Sequence, residues 1–479
     1  MIKLIDLLNE GITEQTALKL ISDMIKRSPF KGRVFLAGGM VRDELLGLDP
    51  KDIDLVVIMD QGGIKFCEWL AKKLNIYKSG SNPVIFPKFG TAKVTLTGVI
   101  YNGVDLSKID VEAVMPRTEK YTTGSRKPEV SYGTLKDDVE RRDFTVNSLL
   151  KDLTTGEILD LTGMGKSDLQ KGIVRTPLNP DVIFTDDPLR MLRAIRFTTK
   201  YGWKLPLFMI RSLKKNAAQL KNISSERIES ELSKMLVTKN PAQAIRLLQI
   251  TGLSIHIFPE LDLLIGLKQN KYHKWNAVQH TLEVLKKVPP KLELRLAALF
   301  HDIGKPQTKS VIDGEIHFYE HEEVSSDIAR DIMKRLRYPN EIINKVVFAI
   351  QSHMRLKGAG ARGDIIADKA LRKLQRDMGD HLEDVLELVN ADNKSHADAY
   401  NMPDQVSNIR NRMKKLSIPK EKQVLPVNGN DIMNHLGIKK PGPIIGKLLS
   451  IVQDAVDENP KLKKQDALKM ISKVYKGML

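Results

Sequence analysis

Cysteine is all but missing from this 479-residue chain: Cys67 is the only one. A single thiol excludes an intrachain disulfide and a cysteine-based zinc site, and it suits a reducing compartment. Aromatic residues are sparse at 5%, while the hydrophobic share of 42% is ordinary for a globular protein. No apolar run reaches the roughly 20 residues that a bilayer-spanning helix needs. The opening stretch MIKLIDLLNEGITEQTALKLI lacks a basic n-region leading into an apolar h-region, so it reads as a soluble helix and not as a signal peptide. Internal repeats, low-complexity tracts and long linkers are not found. The expectation is a cytoplasmic protein with no membrane partner. It should have several domains, because the chain is too long for one core.

Acidic side chains fall short of basic ones, 59 against 76, leaving a net charge of +17. Such a balance favours a polyanionic partner. The excess is localised: residues 166–240 and 401–479 each hold 15 lysines and arginines against 7 acids, and the rest of the chain is nearly neutral. Two basic segments flanking a neutral one suit an extended nucleic acid.

Apolar patterning predicts short buried strands at 34–37 and 53–58. The sheet continues in GTAKVTLTGVIY and KIDVEAVM, with a helix at IKFCEWLAKKLN. From 166 to about 260 the pattern is helical, with Ser224 or Ser225 as a cap and Asn240-Pro241 opening the next helix. Residues 273–400 read as helical and rich in histidine, and the last 80 as basic and helical. The predicted architecture is an α/β head of mixed sheet and helices, then an all-α neck, a histidine-bearing domain and a tail. The boundaries are an N-terminal helical extension at 1–32, the head at 33–165, the neck at 166–265, the histidine domain at 266–400 and the tail at 401–479.

Chemistry concentrates in VFLAGGMVRDELLGLDPKDIDLVVI, residues 34–58. Strand residues two apart share a face, so Asp52 and Asp54 point the same way while Ile53 points into the core. Two hard oxygen ligands on a rigid strand suit Mg²⁺, which keeps positions open for substrate phosphates. Gly38-Gly39 lets backbone approach a phosphate, the helix starting near Met40 offers free N–H groups, and Arg42 would add a charge-assisted contact. Further on, ERRDFTVN reads as a charged helix start. In DDPLRMLRAIRF, Asp187 and Arg190 stand three apart, on one helical face. Arg193 and Arg196 continue a basic ridge that either contacts phosphate or lies at the surface. Six of the ten histidines fall between 273 and 353. The adjacent pair His301-Asp302, with His280, His321, His353 and Asp392, mixes imidazoles and carboxylates as transition-metal or Mg²⁺ sites do.

Taken in order, LAGGMVRDELLG, KDIDLVV, KFGTAKV, ERRDFTVNSLL, LDLTGMGKSDLQKGIVRTP and DDPLRMLRAIRF resemble the motifs of the class II tRNA nucleotidyltransferases (CCA-adding enzymes) and the related bacterial poly(A) polymerases. The order H…HD…D resembles the HD phosphohydrolase superfamily. The resemblance implies that Asp52 and Asp54 hold Mg²⁺, that Arg142, Asp143 and Asn147 hold ribose and triphosphate, and that Asp110 is a candidate third carboxylate. It implies that Asp187 and Arg190 read the base. Cytosine and adenine each present an amino donor beside a ring-nitrogen acceptor, whereas guanine and uracil present the reverse. A carboxylate with a guanidinium therefore fits C and A and leaves G and U unpaired. The implied substrates are CTP, ATP and a tRNA 3′ end. In the HD domain, His280, His301, Asp302 and Asp392, joined by His321 and His353, would hold a divalent metal such as Mg, Ni or Mn. That metal would serve hydrolysis of a phosphomonoester or a 2′,3′-cyclic phosphate. Rival readings are a poly(A) polymerase, a partial CC- or A-adding enzyme, an HD hydrolase with an RNA-binding head, and a non-catalytic RNA-binding protein. A homodimer is left open.

Overall fold

The structure, a computed structural model, describes residues 4–49, 52–120, 129–360, 362–416, 425–459 and 461–476. The chain packs as two compact units, Met1–Ile257 and Phe258–Leu479. In chain order, the strands of the first unit are β1 (Val34–Ala37), β2 (Ile53–Val57), β3 (Val84–Phe86), β4 (Thr91–Thr95), β5 (Ile100–Tyr101), β6 (Val104–Asp105), β7 (Asp110–Val114), β8 (Arg117–Lys120), β9 (Glu129–Tyr132), β10 (Leu150–Asp152) and β11 (Ile158–Leu159). Seven of them form one mixed sheet in the order β11-β10-β1-β2-β7-β4-β3.

Continuous apolar runs explain the middle of that sheet. All four residues of β1 are buried, and in β2 only Asp54 is exposed. β1 runs antiparallel to both β2 and β10, and β2 runs parallel to β7, with Asp54 opposite Glu112. The helix Gly62–Lys73 lies against β2, β4 and β7 and buries Phe66, Cys67 and Leu70. It sits so close that a Cβ on Gly63 would fall 2.1 Å from the Ala113 carbonyl oxygen, so only glycine fits there. Burial pushes the Cys67 thiol up to about 12, which leaves it inert.

Helices complete this unit. Leu189–Tyr201 buries Met191, Leu192, Ile195 and Phe197 and packs on Ser225–Leu236 and Pro241–Ile250. Ser224 and Asn240 occupy the N-cap positions of the last two, though neither side chain makes the capping hydrogen bond. The segment ERRDFTVN departs from expectation. It ends a helix, Leu135–Glu140, opened by a Thr134–Asp137 capping box, and continues into a 3-10 turn at Thr145–Asn147.

Among its described residues the second unit is helical apart from one hairpin that the helical reading of 273–400 did not anticipate. β12 (Lys309–Ile312) pairs antiparallel with β13 (Glu315–Phe318). Asp313 and Gly314 turn the chain with φ of 50° and 77°, the Asp-Gly signature of a tight hairpin turn. Three C-terminal helices, Gly429–Leu436, Pro443–Glu458 and Lys464–Lys476, close on a small core of their own around Ile432, Leu448, Val452 and Ile471.

Candidate active sites

Asp52 and Asp54 emerge together at the start of β2, solvent-exposed, with Ile53 buried between them. The β2–β7 register adds a carboxylate that sequence reasoning missed: Glu112 stands opposite Asp54. Asp110, the expected third carboxylate, lies on the same face but is engaged. Its oxygens take Lys93 Nζ at 2.6 Å and the Thr95 hydroxyl at 2.6 Å. Both acids of the D-V-E stretch share a face, so only strand register separates them. Asp54, Glu112, Arg141 and Arg142 line a cleft of about 260 Å³. Although the residue as a whole is exposed, desolvation of its carboxyl within this cleft, then Glu112 and Asp52, raise Asp54 to about 6, against the pull of Arg142. An all-oxygen donor set with mutually repelling charges is one that Mg²⁺ fits and relieves.

Gly38 turns the chain above Asp54 with φ 70°. A Cβ there would lie 3.3 Å from Arg142 Nη1. Arg142 reaches that point because its Nε and Nη2 grip the buried Asp138, at 3.2 and 2.8 Å, while Nη1 donates to the Asn147 carbonyl at 3.1 Å. Burial works against it, but the guanidiniums of Arg142 and Arg141 hold Asp138 below the usual carboxylate range. Asp143 is likewise held low despite burial, by Arg193 and Asn147.

Three expected phosphate contacts are otherwise committed. Arg42 is 5% exposed. Its guanidinium donates to Asn147 Oδ1 at 2.6 Å and to both Asp43 oxygens at 2.8 Å, and it lies 5.0 Å from the Phe197 ring centroid. Arg193 grips Asp143 at 2.8 and 2.5 Å, and Arg196 pairs with the buried Glu231 at 2.6 Å. Arg42 and Arg193 brace the Asp143–Asn147 segment against the helix Leu189–Tyr201, and Arg196 ties that helix to Ser225–Leu236. Gly39 opens a helix of only seven residues, Gly39–Leu45.

Asp187 and Arg190 do not share a helical face. The helix Pro180–Asp186 ends at Asp187, which is extended at φ −141°, and a new helix starts at Leu189 after Pro188. Proline restrains the residue before it to extended geometry, which explains the break. The two still meet, since Arg190 N donates to the Asp187 carbonyl at 3.0 Å. The Asp187 carboxylate receives Arg227 at 3.0 Å, a partner the sequence reading did not single out.

In the second unit, Asp302 sits at the centre of two ligand groups: His280 with His301, and His321 with His353. All are buried. The local main chain sets the ring orientations. The Nδ1 atoms of His301, His321, His353 and His396 face the carbonyls of Ala298, Phe318, Ile350 and Asn393, each three residues upstream, at 2.9, 2.7, 2.6 and 3.3 Å. A carbonyl only accepts, so Nδ1 carries the proton and Nε2 presents its lone pair. His280 Nδ1 likewise faces a carbonyl, that of Ser395, at 3.4 Å, so in the neutral rings lone pair faces carboxylate: His301 Nε2 lies 3.3 Å from Asp302 Oδ2, and His280 Nε2 lies 3.0 Å from Asp392 Oδ1. Neither nitrogen makes a well-formed hydrogen bond. A cation resolves that opposition: against burial, Asp302 raises His301 toward the protonated ring, and the mixed set of imidazoles and carboxylates fits a metal in the proton's place. Burial, then His301 and His321, lower His353 to about 3, keeping it a neutral donor. Lys305, 3% exposed, sets Nζ 2.7 Å from Asp302 Oδ2 and is held by Gln269 at 2.6 Å. His273 and His396, unpredicted, border the same cavity of about 540 Å³.

Comparison with known proteins identifies the family. Residues 34–175 match the poly(A) polymerase head domain, 209–264 a probable RNA and SrmB-binding site of polymerase A, and 272–426 the HD domain. The chain is 29% identical over 447 residues to the CC-adding tRNA nucleotidyltransferase of Thermus thermophilus, covering 90% of this chain and 92% of that protein. It is 30% identical over 339 residues to the multifunctional CCA protein of an Azoarcus species, covering 67% and 73%. In fold it is similar to the Bacillus stearothermophilus CCA-adding enzyme in complex with CTP, with TM-score 0.65, 23% identity and coverage of 97% and 98%. The chain belongs to the family of CCA-adding tRNA nucleotidyltransferases and poly(A) polymerases, and carries that family's head together with an HD domain.

Proposed function

We propose that the chain is a template-independent tRNA nucleotidyltransferase that builds or repairs the 3′-terminal CCA from CTP and ATP. The observation that carries this reading is the convergence of Asp54 and Glu112 with Arg142 at one cleft of the head, with Asp52 close enough to act on Asp54. The three carboxylates would hold magnesium. When bound, the metal lowers the pKa of the attacking hydroxyl and neutralises charge on the leaving pyrophosphate. Arg142, fixed by Asp138, offers its guanidinium to the triphosphate. The tRNA 3′ oxygen bonds to the α-phosphorus as the bond to pyrophosphate breaks. Asp187 accepts from the amino group of C or A and Arg190 donates to the ring nitrogen. Arg227, 3.0 Å from the Asp187 carboxylate, would orient it toward the base.

The HD unit is assigned hydrolysis of a phosphomonoester or a 2′,3′-cyclic phosphate, supported by the Asp302-centred cluster with its buried Lys305. Incubating tRNAs that end before C, at C and at CC with labelled CTP or ATP, then sequencing the products, tests the head. Arrest after CCA is the expected result, and a long A tail overturns it. A CC-only adder is the second reading, favoured by the similarity to the Thermus protein of that name across most of the chain. It predicts arrest one nucleotide earlier.

A further inference from the structure

Strand register sets a row of exposed side chains across the head sheet. Asp54 on β2 stands opposite Glu112 on β7, Glu112 opposite Lys93 on β4, and Lys93 opposite Val84 on β3. Register partners share a face, so the four point the same way. Lys93 is the only cation on these four strands. Sheet order fixes what lies on either side of Asp54. On one side is β1, whose end at Gly38 lies against Arg142 and Asp54. On the other come β7, β4 and the edge strand β3. In-line transfer sets the attacking oxygen opposite the leaving pyrophosphate. With the triphosphate at Gly38 and Arg142, the RNA 3′ oxygen arrives from the β7 side, and the RNA chain behind it lies over β4 and β3.

Two features of those strands suit that chain. Two strand spacings put Lys93 about 10 Å from Asp54, beyond the metal ligands but beside them. Its ion pair with Asp110 is half-exposed on both sides, so it contributes little and is readily exchanged. Thr95 keeps Asp110 partnered when the lysine leaves. Beyond Lys93, Val84 and Phe86 share a face of the edge strand and are 56% and 49% exposed. Bare apolar side chains on an edge are a liability unless something packs there. We propose that β4 and β3 form the acceptor track of the head: Lys93 exchanges Asp110 for the last internucleotide phosphate of the RNA, and the Val84–Phe86 face takes a base of its 3′ end. The proposal rests on the transferase reading of the head and adds where the RNA end lies on it.

The test uses the full chain, magnesium, CTP and a tRNA ending at the first C. Lys93→Met keeps the stem and drops the charge. It should raise KM for tRNA about fivefold, the upper range for an exposed charge pair, and leave KM for CTP unchanged. Lys93→Arg should restore the first value. Phe86→Ala should raise KM for tRNA about tenfold, the loss of one base–aromatic stack, and Phe86→Tyr, which keeps the ring, should not. An uncharged methylphosphonate in place of the last internucleotide phosphate should cost the unaltered chain what Lys93→Met costs. It should cost the Lys93→Met variant nothing more, because both changes remove one contact. An unchanged KM for tRNA in Lys93→Met or Phe86→Ala overturns the track while leaving the transferase in place. So do additive losses from the lysine and phosphate changes, or a shift in KM for CTP instead. No incorporation of C by the unaltered chain overturns the transferase reading and the track with it.

Discussion

Protonated, Asp54 cannot serve a cation, and its carboxyl, raised to about 6, loses its proton just below neutral pH. Metal binding must displace that proton, so acid weakens it. At subsaturating magnesium, incorporation should rise about tenfold per pH unit up to about 6 and level off above it, as one deprotonation requires. Raising magnesium should move the break to lower pH, which pH–rate profiles at two magnesium concentrations would show. A second consequence concerns Arg193, whose guanidinium is the main counter-charge of buried Asp143. Arg193→Leu strands that carboxylate. It should cost about 3 kcal/mol in urea denaturation and lower incorporation.

Among elements, the helix Gly62–Lys73 sets the height of the sheet beneath the carboxylates. Gly63→Ala would drive a methyl into the Ala113 carbonyl, one residue from Glu112. It should destabilise by about 3 kcal/mol and weaken magnesium binding, measured by denaturation and by titration of incorporation against magnesium. Glu112 also marks how far a sequence can be read. The strands β1 and β2 and the Asp52/Asp54 face were legible because a period of two and a run of buried aliphatics leave little choice. Which acid of D-V-E faces Asp54 is a matter of register, a pairing between distant segments that no local pattern encodes. The same holds for Arg42, Arg193 and Arg196. Their composition suggested phosphate, but Asp43, Asn147, Asp143 and Glu231 lie elsewhere in sequence or were not counted as partners. The break at Asp187 and the hairpin at Asp313-Gly314 were different cases, because Pro188 and the Asp-Gly pair carried the signal locally. The histidine cluster was legible in His280, His301, Asp302, His321 and His353, which the fold does bring together, while His273 and His396 join it only through folding.

Across the whole molecule, two acidic clusters fall in different compact units, Asp52 and Asp54 in the first and Asp302 in the second. Asp52→Ala should abolish incorporation and spare phosphate-ester hydrolysis, and Asp302→Asn should do the reverse. Loss of both activities in either variant would refute the division. With a net charge of +17 concentrated in two segments, tRNA binding should weaken about a thousandfold between about 50 and about 200 mM salt if roughly six phosphates are contacted. Filter binding across that range would measure the slope. The histidine rings of the second unit bear on handling as much as on chemistry. Four of them are aimed by carbonyls three residues upstream, within the chain's own helix ends and turns. Their orientation therefore does not depend on the metal, in contrast to a zinc finger that unfolds without its ion. A chelator should strip this unit of metal without unfolding it, and adding metal back should restore activity within mixing time, with no refolding lag.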